Sequence, residues 1–243
     1  MLRTPYGPGP LVYAHRGDSA HAHDNSIEAF TLAIEAGADG IETDVRRSSD
    51  GHLILSHDAT HPTLGALSKC TLDEIRDMDD RIPTLREGLS VIPRTTFVNV
   101  EIKNHRMEPG FDAKRTIVDE TIAELENYDD SSRILVSSFD PFAVGRARQI
   151  APAVATGLLV TGHMLLGVAT RWARRAGHKT VNLAASHLVE DPRGVVNMAE
   201  ARGLGVVAWT IDDPNEIERL FRHGVIAIVT NDPGAGRAVV DSL

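Results

Sequence analysis

Short runs of Val, Ile and Leu recur along the chain, separated by longer stretches in which apolar residues return every three or four positions. In order, the runs are LVYAH (11–15), GIETDV (40–45), TFVNVEI (96–102), RILVSSF (133–139), ATGLLV (155–160), TVNLAAS (180–186), GVVAWT (205–210) and IAIVT (226–230). Strands apolar on both faces need helices on both sides, which points to a parallel sheet. A ninth run, HLILSH (52–57), follows the second across SSDG, where Asp50-Gly51 predicts a tight turn and a hairpin.

Between the runs lie amphipathic segments. In SIEAFTLAIEAG (26–37), Ile27, Phe30, Ala33 and Ile34 recur at helical spacing. Asn25 with Glu28 predicts a capping pair at its start, and Gly37 a cap at its end. Segments 111–127, 165–177 and 213–224 read as helices too, the last two closing on Gly177 and Gly224. Eight β-then-α units in 243 residues give roughly 30 per unit, the repeat of an α/β TIM (β/α)8 barrel. A doubly wound open sheet would place G-x-G-x-x-G after the first strand, and HRGDSAHAHDN has none. No linker or low-complexity tract interrupts the rhythm. A single domain over 1–243 is expected, with its core at about 11–234.

Composition narrows the function without choosing it. With 42% hydrophobic and 24% charged residues the chain reads as an ordinary globular domain. A formal charge of −9 argues against nucleic acid as a partner, yet leaves small anionic substrates open. The one cysteine, Cys70, excludes an internal disulfide framework and fits a reducing compartment. MLRTPYGPGP has no apolar stretch of leader length, and nothing later approaches a membrane span. A cytoplasmic protein without membrane insertion is expected; monomer and homodimer stay equally open.

A barrel carries its active site at the C-terminal ends of its strands. Chemically able residues fall there repeatedly: His15 and Arg16 after the first strand, Glu42 and Asp44 on the second, His57 and Asp58 after the hairpin, Glu101 and Lys103 on the third. Glu42 and Asp44 are two apart and share a strand face, so their charges repel unless a proton or cation intervenes. With Glu101 they suit a hard divalent cation, Mg²⁺ or Ca²⁺. A structural ion network with Arg16 and Lys103 explains the same residues. Arg16 and Lys103 could equally neutralise a phosphate. His15 and His57 suit proton transfer near neutral pH. The remaining histidines sit in loops or at helix ends where solvation suffices, with His187 retained for substrate contact. Gly17 reads as sparing a bound phosphate a side chain, and Asp18 as solvated loop.

AHRG, then DNSIEAFTLAIEAGADGIETDVRRSSDGHLILSHD, then VNVEIK, GVVAWTIDD and GVIAIVTNDP closely resemble the glycerophosphodiester phosphodiesterase family, in its bacterial, cytoplasmic type. The resemblance runs from about Val12 to Pro233. It implies a metal-dependent TIM-barrel hydrolase releasing sn-glycerol 3-phosphate and an alcohol from a small phosphodiester. Glu42, Asp44 and Glu101 would be metal ligands, His15 and His57 the acid/base pair, and Arg16 and Lys103 phosphate contacts. Phe139 and Trp209 match aromatic positions lining the pocket. A cyclic phosphate formed by the glycerol hydroxyl is the implied route. Two features depart from the family pattern. Asp24 stands where a glutamate is usual, and the segment ATHPTLGALSKCT (59–71) is short and lacks an arginine. A related enzyme acting on lysophospholipids and a non-catalytic phosphodiester-binding barrel are the alternative readings.

Overall fold

The computed structural model describes residues 9–128 and 131–243. Most of the stretch read as leader-free, residues 1–8, lies outside them. Eight parallel strands form the barrel: β1 (Leu11–His15), β2 (Gly40–Arg47), β6 (Phe97–Ile102), β7 (Ile134–Ser138), β8 (Ala155–Val160), β9 (Thr180–Ala184), β10 (Gly205–Trp209) and β11 (Ala227–Thr230). They pair in the order β1-β11-β10-β9-β8-β7-β6-β2, and β1 also pairs with β2, which closes the cylinder. The expected hairpin strand, β3 (Leu53–Leu55), runs antiparallel to β2, with Val45 opposite Leu55.

The period of two along each strand divides the molecule into an inside and an outside. Leu11, Tyr13, Leu135, Ala155, Val207, Ala227 and Val229 fill the barrel. Residues of the other parity, such as Ile41, Val45, Val98 and Val100, pack outward beneath the helices. Those helices are α1 (Ile27–Glu35), α4 (Thr116–Tyr128), α5 (Pro141–Ile150), α6 (Leu166–Ala176), α7 (Pro192–Glu200), α8 (Pro214–Arg222) and α9 (Pro233–Ser242). Between β3 and β6 the chain adds a two-residue-strand hairpin, β4 (Thr60–His61) with β5 (Gly65–Ala66), then α2 (Leu72–Met78) and α3 (Leu85–Val91). Both short helices begin with capping boxes, Thr71 with Glu74 and Thr84 with Glu87. Cys70 is buried with Ile54, Leu67, Leu72 and Ile75 as a packing residue. Among the described residues, no helix is long and apolar enough to cross a membrane.

Three local expectations give way to tertiary contacts. Helix α1 is capped by Ser26, whose hydroxyl accepts from the Ala29 N–H, because Asn25 sits at φ 58° with its side chain committed to β2. Helix α4 begins at Thr116 rather than at 111. The Asp112 N–H donates to Asn104 Oδ1 at 2.8 Å and Arg115 adopts φ 60°, which holds 111–115 as a loop. His178 is not solvated: it is 3% exposed, against Thr156 and Trp172.

Candidate active site

At the C-terminal mouth of the barrel lies a pocket of about 150 Å³. His15, Arg16, Glu42, His57, Glu101, Lys103, Phe139 and Trp209 line it, and Asp44 is buried beneath in contact with Arg16 and Lys103. These nine residues therefore converge, from the ends of five strands (β1, β2, β6, β7 and β10) and the segment after β3. His187 does not join them; its ring bonds the Thr161 carbonyl at 2.8 Å, away from this pocket.

The carboxylates come together because β2 and β6 pair in parallel with Asp44 beside Glu101 and Glu42 beside Asn99. Glu42, Asp44 and Glu101 each place an oxygen within 4.8 Å of the others, and all three are buried. Burial, then the charges of Asp44 and Glu101, push Glu42 well above the usual carboxylate range. Burial, opposed by Lys103, raises Glu101 to about 7. Asp44 stays below its ordinary value despite burial, since Lys103 and Arg16 flank it. Two cations thus fail to satisfy three buried carboxylates. Excess negative charge on an all-oxygen donor set fits a hard divalent cation.

Arg16 follows β1 at φ 58°. Its backbone N–H donates to Glu42 Oε2 at 3.1 Å, its Nη1 to Asp24 Oδ2 at 2.8 Å, and its Nε lies 3.2 Å from Asp44 Oδ2. Lys103 Nζ reaches Asp44 at 3.0 Å and Glu101 at 2.6 Å, and lies 6.0 Å from the centre of the Phe139 ring. Phe139 and Trp209 meet edge to face with centroids 5.5 Å apart, and Trp209 Nε1 donates to the Asn182 carbonyl. The two rings form one wall of the pocket.

The histidines differ in what holds them. His15 Nδ1 lies 2.7 Å from Asn231 Oδ1. Asn231 turns that oxygen inward because its Nδ2 donates to Asp212 at 2.7 Å, and Ser19 also donates to it. An amide oxygen only accepts, so His15 carries its proton on Nδ1 and leaves the Nε2 lone pair available. Burial and the neighbouring Arg16 charge hold its pKa below the ordinary value. His57 Nδ1 instead lies 2.7 Å from a carboxylate, Asp58 Oδ1, and the ring is partly exposed.

Sequence reasoning missed the residues behind this front. Asn231 and Asp212 carried the only available signal, polar residues just beyond strand ends. Asn25 donates to Asp44 Oδ2 at 3.0 Å and accepts from Thr43 and the Asp44 N–H, anchoring β2 from the loop after β1. Packing by itself requires Gly17: at φ 82°, a Cβ would lie 2.6 Å from the Ala29 main chain. Asp18 is buried and bonds His21 at 2.7 Å, not solvated.

A model of the glycerophosphoryl diester phosphodiesterase family matches residues 15–235. The chain belongs to that family. It is a phosphodiesterase, a hydrolase on a TIM barrel. The glycerophosphodiester phosphodiesterase of Caldanaerobacter subterraneus subsp. tengcongensis is 33% identical over 240 residues, covering 92% of this chain and 94% of that one. One from Bacillus altitudinis is 31% identical, covering 91% and 94%. In fold it is similar to the Oleispira antarctica phosphodiesterase solved with the product sn-glycerol-3-phosphate (TM-score 0.84, 24% identity, covering 96% and 97%). The Thermotoga maritima glycerophosphodiester phosphodiesterase gives a TM-score of 0.81 at 24% identity, covering 95% and 98%.

Both departures from the family pattern are accommodated in this phosphodiesterase. Asp24 still reaches Arg16 despite being one methylene shorter. The short 59–71 segment forms the β4–β5 hairpin beside a second cavity of about 260 Å³, which shares Arg16 and His57 with the first. Arg81 lines this cavity, but Asp79 holds its guanidinium in a two-point pair at 2.7 and 2.8 Å.

Proposed function

We propose that this phosphodiesterase hydrolyses glycerophosphodiesters to sn-glycerol 3-phosphate and an alcohol, with two histidines as its acid/base pair. One observation carries the reading: two histidines, two cations and a cluster of three buried carboxylates, two of them lining the wall and Asp44 beneath, gather at a single pocket. Glu42, Asp44 and Glu101 would hold Mg²⁺ or Ca²⁺, which would supply charge stabilisation to phosphate oxygens and lower the pKa of a coordinated hydroxyl. Arg16 and Lys103 hold the phosphate as guanidinium fork and point charge. His15 Nε2, free in the Nδ1–H tautomer, takes the proton from the attacking glycerol hydroxyl. His57, its Nδ1 held by Asp58 Oδ1 at 2.7 Å, gives a proton from the other ring nitrogen to the departing alcohol oxygen as the P–O bond breaks. Water then opens the resulting cyclic phosphate with the roles of the two histidines exchanged.

The test is release of glycerol 3-phosphate from glycerophosphocholine and glycerophosphoethanolamine with Mg²⁺, Ca²⁺ or EDTA. Activity is expected with metal, loss on chelation, and recovery on re-addition. Turnover indifferent to EDTA removes the metal; no turnover of any diester by the folded protein favours a binding barrel.

A lysophospholipid substrate has one observation in its favour. Phe142, Leu165 and Val189 are 68%, 75% and 63% exposed. They sit just after β7, β8 and β9, on the pocket's side of the barrel, where an acyl chain would cover them. Lysophosphatidylcholine turned over faster than glycerophosphocholine would select this substrate.

A further inference from the structure

We propose that Arg46 is the positioning residue for His57, a role that rests on the acid/base reading above. His15 stands on a strand whose ladder holds it. His57 lies two residues beyond the end of β3, on an irregular segment with an exposed face. Its main-chain carbonyl accepts two hydrogen bonds from one guanidinium, Arg46 Nε at 2.9 Å and Nη2 at 2.6 Å. Arg46 is the inward residue after Glu42 and Asp44 on β2, and it is 7% exposed. Its Nη2 also donates to Glu108 Oε2 at 2.8 Å, from the loop after β6.

The arrangement answers two physical needs. A buried guanidinium must be paired: Glu108 supplies the opposite charge, and the His57 carbonyl accepts from Nε and Nη2. A side chain that transfers protons must be held tightly, and an irregular segment cannot do so alone. The last backbone tie to β2 is the Ser56 N–H to the Asp44 carbonyl at 3.0 Å; beyond it Arg46 adds a fork that holds His57 itself to the strand that carries Glu42 and Asp44. Arg47 provides the contrast: the next residue along points the other way and pairs with Glu120 at 2.6 Å on the outside of the barrel.

The test is a double-mutant cycle on glycerophosphodiester turnover. Arg46→Met is expected to lower kcat about 10- to 100-fold with KM changed less than about three-fold, as misplacement of a catalytic group does. Arg46→Lys, with one ammonium for the fork, should recover part of that loss. Glu108→Gln keeps the buried guanidinium and serves if Arg46→Met does not fold; it should lower kcat by about three-fold. Arg47→Met should leave kcat unchanged. In a His57→Ala background both Arg46→Met and Glu108→Gln should change kcat by less than about two-fold, since their target is gone. Equal losses with and without His57, or unchanged kcat in folded Arg46→Met, overturn the positioning role alone. Wild-type turnover in His57→Ala overturns the acid/base reading and this role with it.

Discussion

Histidine shows how neighbours, rather than residue type, decide chemistry. His15 meets an amide oxygen and a guanidinium, His57 a carboxylate, and His187 a backbone carbonyl away from the pocket. Of the three, only the first two line the pocket with Arg16, Lys103 and the carboxylates Glu42 and Glu101. His15→Ala and His57→Ala should each lower kcat by roughly 10²-fold or more, the usual scale of lost proton transfer. A p-nitrophenyl diester separates the two roles, because nitrophenolate departs without needing a proton. The His57→Ala loss should shrink to less than about ten-fold on that substrate while the His15→Ala loss persists. Equal losses on both substrates would reverse or remove the assignment.

At the scale of elements, His178 shows what a buried ring does to a junction. It follows α6 and meets Thr156 of β8 at 2.8 Å, and burial, with a smaller contribution from Arg148, lowers its pKa from 6.5 to about 4. The folded state keeps the ring neutral while the unfolded chain takes a proton near 6.5. The unfolded state therefore binds more protons between pH 6.5 and 4, and stability falls as pH drops through that window. The loss should be about 2 kcal/mol between pH 7 and 4.5, discounted from the full shift for residual solvent. In urea unfolding, His178→Asn keeps a polar atom near Thr156 and should lose that much less; equal losses would acquit the ring. The same junctions mark where sequence patterns stop being readable. All eight barrel strands follow from short runs apolar on both faces, and the β2–β3 hairpin from the Asp50-Gly51 turn. The start of α4 and the cap of α1 do not follow. Asn104 and Asn25 take their partners from residues distant in sequence, and such hydrogen bonds leave no local trace. The pocket's front was readable for a related reason: a strand end fixes which way Glu42, Asp44 and Glu101 point. Asn231 and Asp212 lie beyond strand ends, behind the pocket's front, and have no period to betray them.

At the scale of the molecule, closing eight strands forces side chains from opposite walls into one narrow interior, so large residues require small ones facing them. Tyr13 is such a large residue, and Gly40 on the adjoining β2 is its complement: a Cβ there would lie 2.4 to 3.0 Å from the Tyr13 ring. The ring has nowhere to move, being 2% exposed among the barrel-filling residues. Gly145 offers the opposite case, a glycine inside α5 with nothing within 4 Å of a built Cβ. The same substitution should therefore have opposite signs at the two sites. Gly40→Ala should destabilise by about 1–3 kcal/mol through overpacking. Gly145→Ala should stabilise by about 0.5–1 kcal/mol, because alanine restricts the unfolded chain and suits a helix. In a protein of this size that is a fall in Tm of roughly 3–10 °C against a rise of roughly 1–4 °C, measurable by calorimetry. A Gly40→Ala protein as stable as wild type would mean that the barrel interior yields, and the close-packed core would not be what sets this molecule's stability.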